Sequence, residues 1–327
     1  MRRGTAFAFT LGVAAAAVAT VYAGAGAVAR ALASLHVAGL LILAVLHVPV
    51  GIALGIAWWF ASGRDPQISR VRFCWARFIR DAAAEVLPFA QLGGFVLGVR
   101  ALGSGRSVLA RGAVSMSVDL VMELTAKLPY VAAALATLLL LAPDTRLAQP
   151  LAVALLVTCA AAAIPLLART RLGTTLERIA RAISRRWPAA AAPEGDVGAA
   201  FDRALAHRAA LLSSFALHVC CWFLGALEAW VLLRLLGAPV TLLQALAIDG
   251  TVAGLRTFGF LVPAAAGVQE ASYLIGASVF GIPPALALAA SFARRARDLT
   301  LGAATLALAV ATDRGLLPAL KTDTRSP

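Results

Sequence analysis

Charge is what this sequence has least of. Of its 327 residues only 14% are charged, 16 of them Asp or Glu, against 61% apolar. A soluble domain carries roughly 45–50% apolar and about 25% charged residues, so the composition argues against a water-soluble protein and for a bilayer one. A mean hydropathy of +0.86 points the same way. Lysine is nearly missing: Lys127 and Lys321 are the two lysines among 29 cations. Cysteine is scarce too, and Cys74, Cys159, Cys220 and Cys221 have no metal-type spacing, so neither a disulfide framework nor a zinc site is implied. There is no nucleophile elbow, Walker loop, HExxH or GxGxxG between a strand and a helix, so no cofactor, metal or enzyme template is indicated. The net charge of +13 suggests nucleic acid at first sight. That reading fails because the arginines fall in blocks between long apolar runs, the pattern that orients a polytopic membrane protein.

What is present is a series of runs long enough to cross about 30 Å of hydrocarbon, which takes ~20 helical residues. They cover residues 5–23, 35–61, 114–141, 150–168, 209–236 and 241–258, and an interrupted apolar region follows at 261–317. The first run, preceded by Arg2 and Arg3, also has the form of a signal peptide, but the chain after it is itself membrane-embedded. The expected fold is all-α, a polytopic integral membrane protein of about eight spans. Residues 62–84 carry Arg64, Arg70, Arg72, Arg77 and Arg80, and residues 169–209 carry eight more arginines. Both segments are therefore read as cytoplasmic, together with the N-terminus. The second divides the chain into a membrane half at 1–169, a cytoplasmic segment at 170–208, a second membrane half at 209–317 and a tail at 318–327. Within it, Leu172, Leu176, Ile179 and Ile183 recur at helical spacing with Arg178, Arg181, Arg185 and Arg186 on other faces. That is a basic amphipathic helix for anionic inner-leaflet lipids. Residues 188–198, with Ala, Pro and Gly, read as a linker.

Two apolar segments are broken. Around 85–100, Glu85, Pro88, Gln91, Gly93 and Gly94 interrupt the run, with arginines on both flanks, Arg100 among them. Positive flanks place both ends on the cytoplasmic face, and ~14 residues cannot cross and return, so a re-entrant hairpin is expected. Around 259–271, Pro263, Gly267, Gln269 and Glu270 repeat the same ingredients in the other half, which suggests an internal duplication. Paired Gly/Pro-broken segments are the sequence-level pointer to a transporter site, because unwound backbone at membrane depth survives where it lines a polar cavity. Two ordinary kinked helices are the alternative.

Ionisable residues inside spans sharpen the case, since each costs ~2.5–3.5 kcal/mol at a helix centre unless paired or hydrated. Asp119, Glu123 and Lys127 share one helix face; Glu123 and Lys127 stand in the favourable order for a pair, which leaves Asp119 for a partner elsewhere. Asp249 and Arg256 share a face seven apart, and Arg294 and Asp298 have the spacing of a pair. Arg295 and Arg297 read equally well as a cytoplasmic anchor. Glu228 lies near the end of its run, at interfacial depth. His218, Cys221 and Glu228 fall on one face, but nothing completes a coordination sphere around them.

At these residues the sequence resembles the hopanoid-biosynthesis-associated membrane proteins, a flippase-like branch related to the transmembrane region of lysylphosphatidylglycerol synthase. The resemblance is carried by Arg80-Asp81 through Leu87-Pro88, Gln91-Leu92-Gly93-Gly94, Arg100, Val118-Asp119-Leu120 with Glu123, Val262-Pro263, Gly267-Val268-Gln269-Glu270, Gly281-Ile282-Pro283-Pro284 and Arg294 to Asp298. Ala84 and Glu85 stand where the family usually has an Asn pair, Phe95 replaces an acid and Ala271-Ser272 replace glycines, so headgroup preference is open to change. Larger relatives carry a soluble aminoacyl-transferase domain after the membrane region, and these 327 residues stop soon after the last run, so the resemblance implies lipid handling without lysyl transfer. The expected function is translocation of a membrane lipid, hopanoid or phospholipid-like, across or from a bacterial inner membrane. A polar mid-membrane cavity between the two broken segments would take the headgroup, with Gln91, Asp119, Gln269 and Glu270 lining it and Arg100, Arg256 and Arg294 as counter-charges. An integral-membrane lipid-modifying enzyme, or an accessory subunit of one, is the alternative. No protein partner is indicated.

The basic segment generates a first prediction. Reversing Arg178, Arg181 and Arg185 to Glu should weaken binding of a peptide of residues 172–187 to phosphatidylglycerol vesicles by about 1 kcal/mol or more per residue, read by co-sedimentation. Lipid translocation by the full chain should persist, because those charges lie outside membrane depth.

Overall fold

The computed structural model describes residues 2–86, 90–103, 105–167, 204–259 and 265–312, and no β-strand occurs among them. Eleven helices run through these described residues in the order α1 (Arg2–Tyr22), α2 (Ala25–Ser34), α3 (His36–Ala61), α4 (Arg70–Val86), α5 (Ala90–Leu102), α6 (Arg106–Leu141), α7 (Ala148–Leu167), α8 (Arg208–Leu235), α9 (Leu242–Leu255), α10 (Val268–Ser278) and α11 (Pro284–Thr312). The basic amphipathic segment at 172–187, the linker at 188–198, the tail at 318–327, Pro88 and Pro263 lie outside the described residues.

Among the described residues, three helices are long and apolar enough to cross a membrane: His36–Ala61, Ser107–Leu141 and Arg208–Leu235. A fourth crossing is available if Thr10–Tyr22 and Ala25–Ser34, bent by 90°, form one span. The bend falls at Gly24, whose φ of 82° belongs to the left-handed region that glycine enters without a Cβ penalty. The expected count of eight included the shorter apolar helices α7 and α9 and the interrupted region that forms α10 and α11. Apolar side chains such as Val37, Leu140 and Leu156 stand more than two-thirds exposed on α3, α6 and α7, the surface of a multi-pass protein that meets lipid tails instead of water.

Residues 62–84 are not a loop. Most of them form α4, whose Phe73, Ala76, Ile79 and Ala83 recur at helical spacing and are buried. Arg77 and Arg80 sit on that same face, 3% and 8% exposed, so the positive excess of the segment rests on Arg64, Arg70 and Arg72. Two of those three lie over aromatic rings, Arg70 on Trp59 at 4.2 Å and Arg64 on Phe60 at 5.2 Å, an arrangement suited to a membrane interface.

The chain folds as two compact units, and both halves of the sequence contribute to each. The first comprises Met1–Val50, Leu124–Ala161 and Val219–Leu299; the second comprises Gly51–Glu123, Ala162–His218 and Thr300–Pro327.

The second unit is organised by a helical hairpin. α5 runs back along α4, with Gly94 against the Arg80 carbonyl, Gly98 against Ala76 and Arg80, and Arg72 Nε donating to the Ala101 carbonyl at 2.8 Å. A Cβ at Gly94 would fall 2.6 Å from the Arg80 oxygen, so small residues set this approach. Trp58, Phe73, Ile79, Leu97 and Met116 fill the core around the hairpin.

The first unit holds a second hairpin. α10 returns along α9, with Gly276 packed on Ile248 and Thr251 and Gln269 bonded to Arg256. α9 has 14 residues and α10 has 11, about 21 Å and 17 Å of helix at 1.5 Å per residue, short of the hydrocarbon thickness. Leu43, Leu233, Ile248, Tyr273 and the alanines of α11 pack around it. Each broken segment of the sequence is thus the region joining two antiparallel helices, the first of the two longer than the expected stretch because its Arg-bearing arm had been read as loop.

Gly250 on α9 faces Ala134 of α6 so closely that an added Cβ would lie 2.1 Å from the Ala134 methyl. Gly250→Ala should therefore cost about 1–3 kcal/mol through overpacking. Gly26→Ala, whose new methyl meets nothing nearer than 3.5 Å, should be neutral or stabilising. Unfolding midpoints of the two variants in detergent check the contrast.

Candidate functional site

In the second unit, four charges from two elements meet below the surface. α4 contributes Arg77 and Arg80, one turn apart on its apolar face; α6 contributes Asp119 and Glu123, also one turn apart. Arg77 Nη1 and Arg80 Nη1 both donate to Asp119 Oδ2, at 3.3 and 3.2 Å. Arg77 spans Glu123 with both Nη atoms at 3.2 Å, and Arg80 Nη2 reaches Glu123 Oε2 at 2.9 Å. Arg77 Nε is held by Asp81 Oδ2 at 2.8 Å, the i,i+4 partner on its own helix. Asp119 is fully buried, and its second oxygen meets His218 Nε2 of α8 at 2.9 Å. The partner that Asp119 was expected to find off its own helix is therefore a pair of guanidiniums and an imidazole. This density of fork-shaped donors on carboxylates is the geometry for which arginine, not lysine, is suited.

The first unit carries three polar clusters. Asp249, on α9, accepts from Arg294 of α11 and from the Tyr130 hydroxyl, and Arg294 also donates to the Tyr273 hydroxyl at 2.9 Å. Glu270 is positioned by the break at Gly267, whose φ is 77°. Its carboxylate accepts the Gly267 N–H at 2.8 Å, an N-terminal cap for α10, and takes Arg295 Nη2 at 2.9 Å. Gln269 beside it accepts from Arg256 Nη1 at 2.8 Å and donates to the Ser291 carbonyl and hydroxyl at 3.2 Å, so Arg256, Gln269, Ser291, Glu270 and Arg295 form one chain of bonds. In the third cluster Glu228 accepts from Arg297 and lies 3.1 Å from His47 Nδ1, while Arg297 Nη2 also reaches Asp298 at 2.7 Å.

Several sequence expectations change. Arg294 and Asp298 do not pair: Arg294 turns to α9, and Asp298 is taken by its neighbour Arg297. Asp249 and Arg256 share a helix face but not a bond, because each meets a partner from another element first. Arg295 and Arg297 are not surface anchors, since both bind buried carboxylates, and Arg297 is 5% exposed. Glu228, near the end of its run, is 4% exposed and so buried within the protein. His218 meets Asp119 and Glu228 meets Arg297, and no group of metal-binding side chains occurs among the described residues. Glu85 is half-buried near the end of α4, Gly93 and Arg100 lie on α5, and Gln91 lies on α5 with its side chain outside the described part. Lys127 donates to the Thr257 hydroxyl at 2.8 Å.

Sequence reasoning missed His47, Tyr130 and Tyr273, placed Arg77 and Arg80 in a loop, and named His218 and Arg297 without their partners. For the two arginines of α4 a signal existed: they occur in step with Phe73, Ala76, Ile79 and Ala83, which marks an apolar face and not a solvated one.

Residues 9–305 match the family model described as the lysylphosphatidylglycerol synthase TM region. The chain belongs to that family. The match spans the residues of both hairpins and of the clusters above, and with membership comes a membrane-lipid-related role. Comparison with curated proteins and with solved structures finds no match.

The clusters generate a prediction about stability. Arg297→Met leaves Glu228 buried without its guanidinium and should cost about 3–5 kcal/mol, whereas Arg297→Met combined with Glu228→Leu should recover most of that loss. Arg64→Met, at an exposed site, should stay within about 0.5 kcal/mol. Thermal midpoints in detergent, taken as a double-mutant cycle, measure all three.

Proposed function

We propose that the protein moves a polar membrane lipid, of hopanoid or phospholipid type, across or from the bacterial cytoplasmic membrane, with its N-terminus on the cytoplasmic side. The observation that supports this most is that two helical hairpins too short to cross a bilayer each carry buried, ion-paired side chains into an otherwise apolar helix set. Such hairpins are how transporters bring polar groups to membrane depth, and buried ions at that depth are expensive unless they serve a substrate or ion path. A headgroup entering the bilayer loses its water, and guanidinium and carboxylate groups that exchange partners replace those contacts. Asp119, Glu123, Asp249 and Glu270 supply acceptors for a cationic or hydroxylated headgroup; Arg77, Arg80, Arg256, Arg294 and Arg295 supply donors for an anionic one. Glu85, Pro88, Gln91, Gly93, Gly94, Arg100, Pro263, Gly267, Gln269 and Asp298 complete the set of residues to which we assign this role. Lipid modification is the less supported reading, because each of the four carboxylates above is spent on an arginine and none stands ready as a general base.

Glu270→Gln and Asp119→Asn keep side-chain size and most hydrogen bonding while deleting charge. Each should slow translocation about tenfold or more, the loss expected for a charged hydrogen bond worth ~1.5–3 kcal/mol. The measurement is dithionite accessibility of tail-labelled lipids with different headgroups in phosphatidylcholine–phosphatidylglycerol vesicles containing the purified protein. Wild-type rates in two properly assembled variants would make these carboxylates structural. A new lipid mass in the same vesicles, with no change in leaflet exposure, would favour modification over movement.

A further inference from the structure

Two buried polar atoms on α8 are left without a hydrogen bond. Ser214 and His218 are one helical turn apart and both are fully buried. Ser214 Oγ and His218 Nδ1 have no hydrogen-bond partner among the described residues. Buried polar atoms are satisfied in the great majority of cases, so two on one helix face point to a ligand with hydrogen-bonding capacity.

The other side of the imidazole fixes its chemistry. Asp119 Oδ2 is already held by Arg77 and Arg80, and its Oδ1 faces His218 Nε2 at 2.9 Å. A carboxylate oxygen accepts, so Nε2 carries a proton and donates. In the neutral ring Nδ1 is then a bare lone pair, ready to take a second proton; in the imidazolium form it is a donor. The ring meets Asp119 and lies near Glu123 on α6, and those two carboxylates are in turn held by Arg77 and Arg80 of α4; Ser214 is the neighbour on its own helix.

We propose that His218 Nδ1 is a proton-binding site, loaded through the Ser214 hydroxyl, that couples lipid movement to a proton gradient. The step is a proton transfer and no more: a hydronium, by way of a water bonded to Ser214 Oγ, forms an N–H bond at Nδ1 and leaves water behind. The resulting imidazolium strengthens the hold of His218 on Asp119 and so weakens the claim of Arg77 and Arg80 on that carboxylate, freeing guanidinium capacity for a headgroup. This rests on the lipid-translocation reading, and the test separates the two.

The first arm observes the proton without transport. In the full-length protein labelled with 15N-histidine in micelles, the four histidines give four ring systems, and the signal of residue 218 is found by its displacement in Ser214→Ala and its loss in His218→Gln. The expected result is conversion of that ring from the Nε2–H tautomer to imidazolium between about pH 8 and pH 5. A ring that stays neutral throughout marks a site for structural water and overturns the proposal. The second arm uses vesicles of phosphatidylcholine and phosphatidylglycerol carrying a trace of tail-labelled phosphatidylglycerol. With one proton per lipid, a gradient of about one pH unit should enrich the tracer about tenfold in one leaflet, and the enrichment should fall to none in His218→Gln. Tracer that moves but distributes evenly under the gradient overturns the coupling and leaves the translocation reading standing. If no headgroup moves at all in the wild type, the translocation reading falls and the coupling falls with it, whatever the first arm shows of the proton.

Discussion

Arg77 and Arg80 reach from α4 to Asp119 and Glu123 on α6, and Asp249 and Glu270 reach from α9 and α10 to Arg294 and Arg295 on α11. A lone buried charge is costly, so each pair ties a short helical hairpin to the long helix that follows it. The rest of the structure is arranged to make those pairs possible. Gly94 and Gly98 let α5 lie close enough to α4 to present the arginines, and the backbone break at Gly267 aims Glu270 back onto its own helix start. The same pattern of hairpin then charged helix appears in both halves of the sequence, with the signs exchanged.

Tight packing and charge pairing do different work. Helices in lipid gain little from burying apolar surface, because the tails outside are as apolar as the core inside. Close backbone approach therefore carries more of the stability: Gly250 on Ala134, Gly55 on Cys74, and the fully buried alanines 287, 289, 290 and 293 of α11. Against that background the ion pairs supply direction, since a guanidinium fork accepts few geometries.

The spans were legible in the sequence because a run of ~20 apolar residues has few other meanings, and α3 and α8 match their expected limits within about one residue. The hairpins were legible at their breaks, where Pro and Gly interrupt an apolar run, but not at the start of α4. Arginines on a buried helix face and arginines in a loop have the same composition, and only their phase with Phe73, Ala76 and Ile79 separates them. Asp119, Glu123, Asp249 and Arg294 were singled out by the cost of burying a charge, and Gln269 and Glu270 by the Gly/Pro break beside them. Their partners were not, because pairing across helices depends on which faces meet, and helical spacing offered nearer candidates: Asp298 for Arg294, and Arg256 for Asp249. Tyr130 and Tyr273 gave no signal at all, since a tyrosine in an apolar run reads as bulk.

The exchanged signs carry a consequence for biogenesis. Two helical hairpins in one chain can exchange places while they are being inserted, the later hairpin settling on the earlier long helix. Here that error would set Asp249 and Glu270 against Asp119 and Glu123, and the reverse error would set Arg77 and Arg80 against Arg294 and Arg295. Either meeting of like charges costs several kcal/mol. Opposite polarity in the two hairpins thus penalises an exchange of long helices between them.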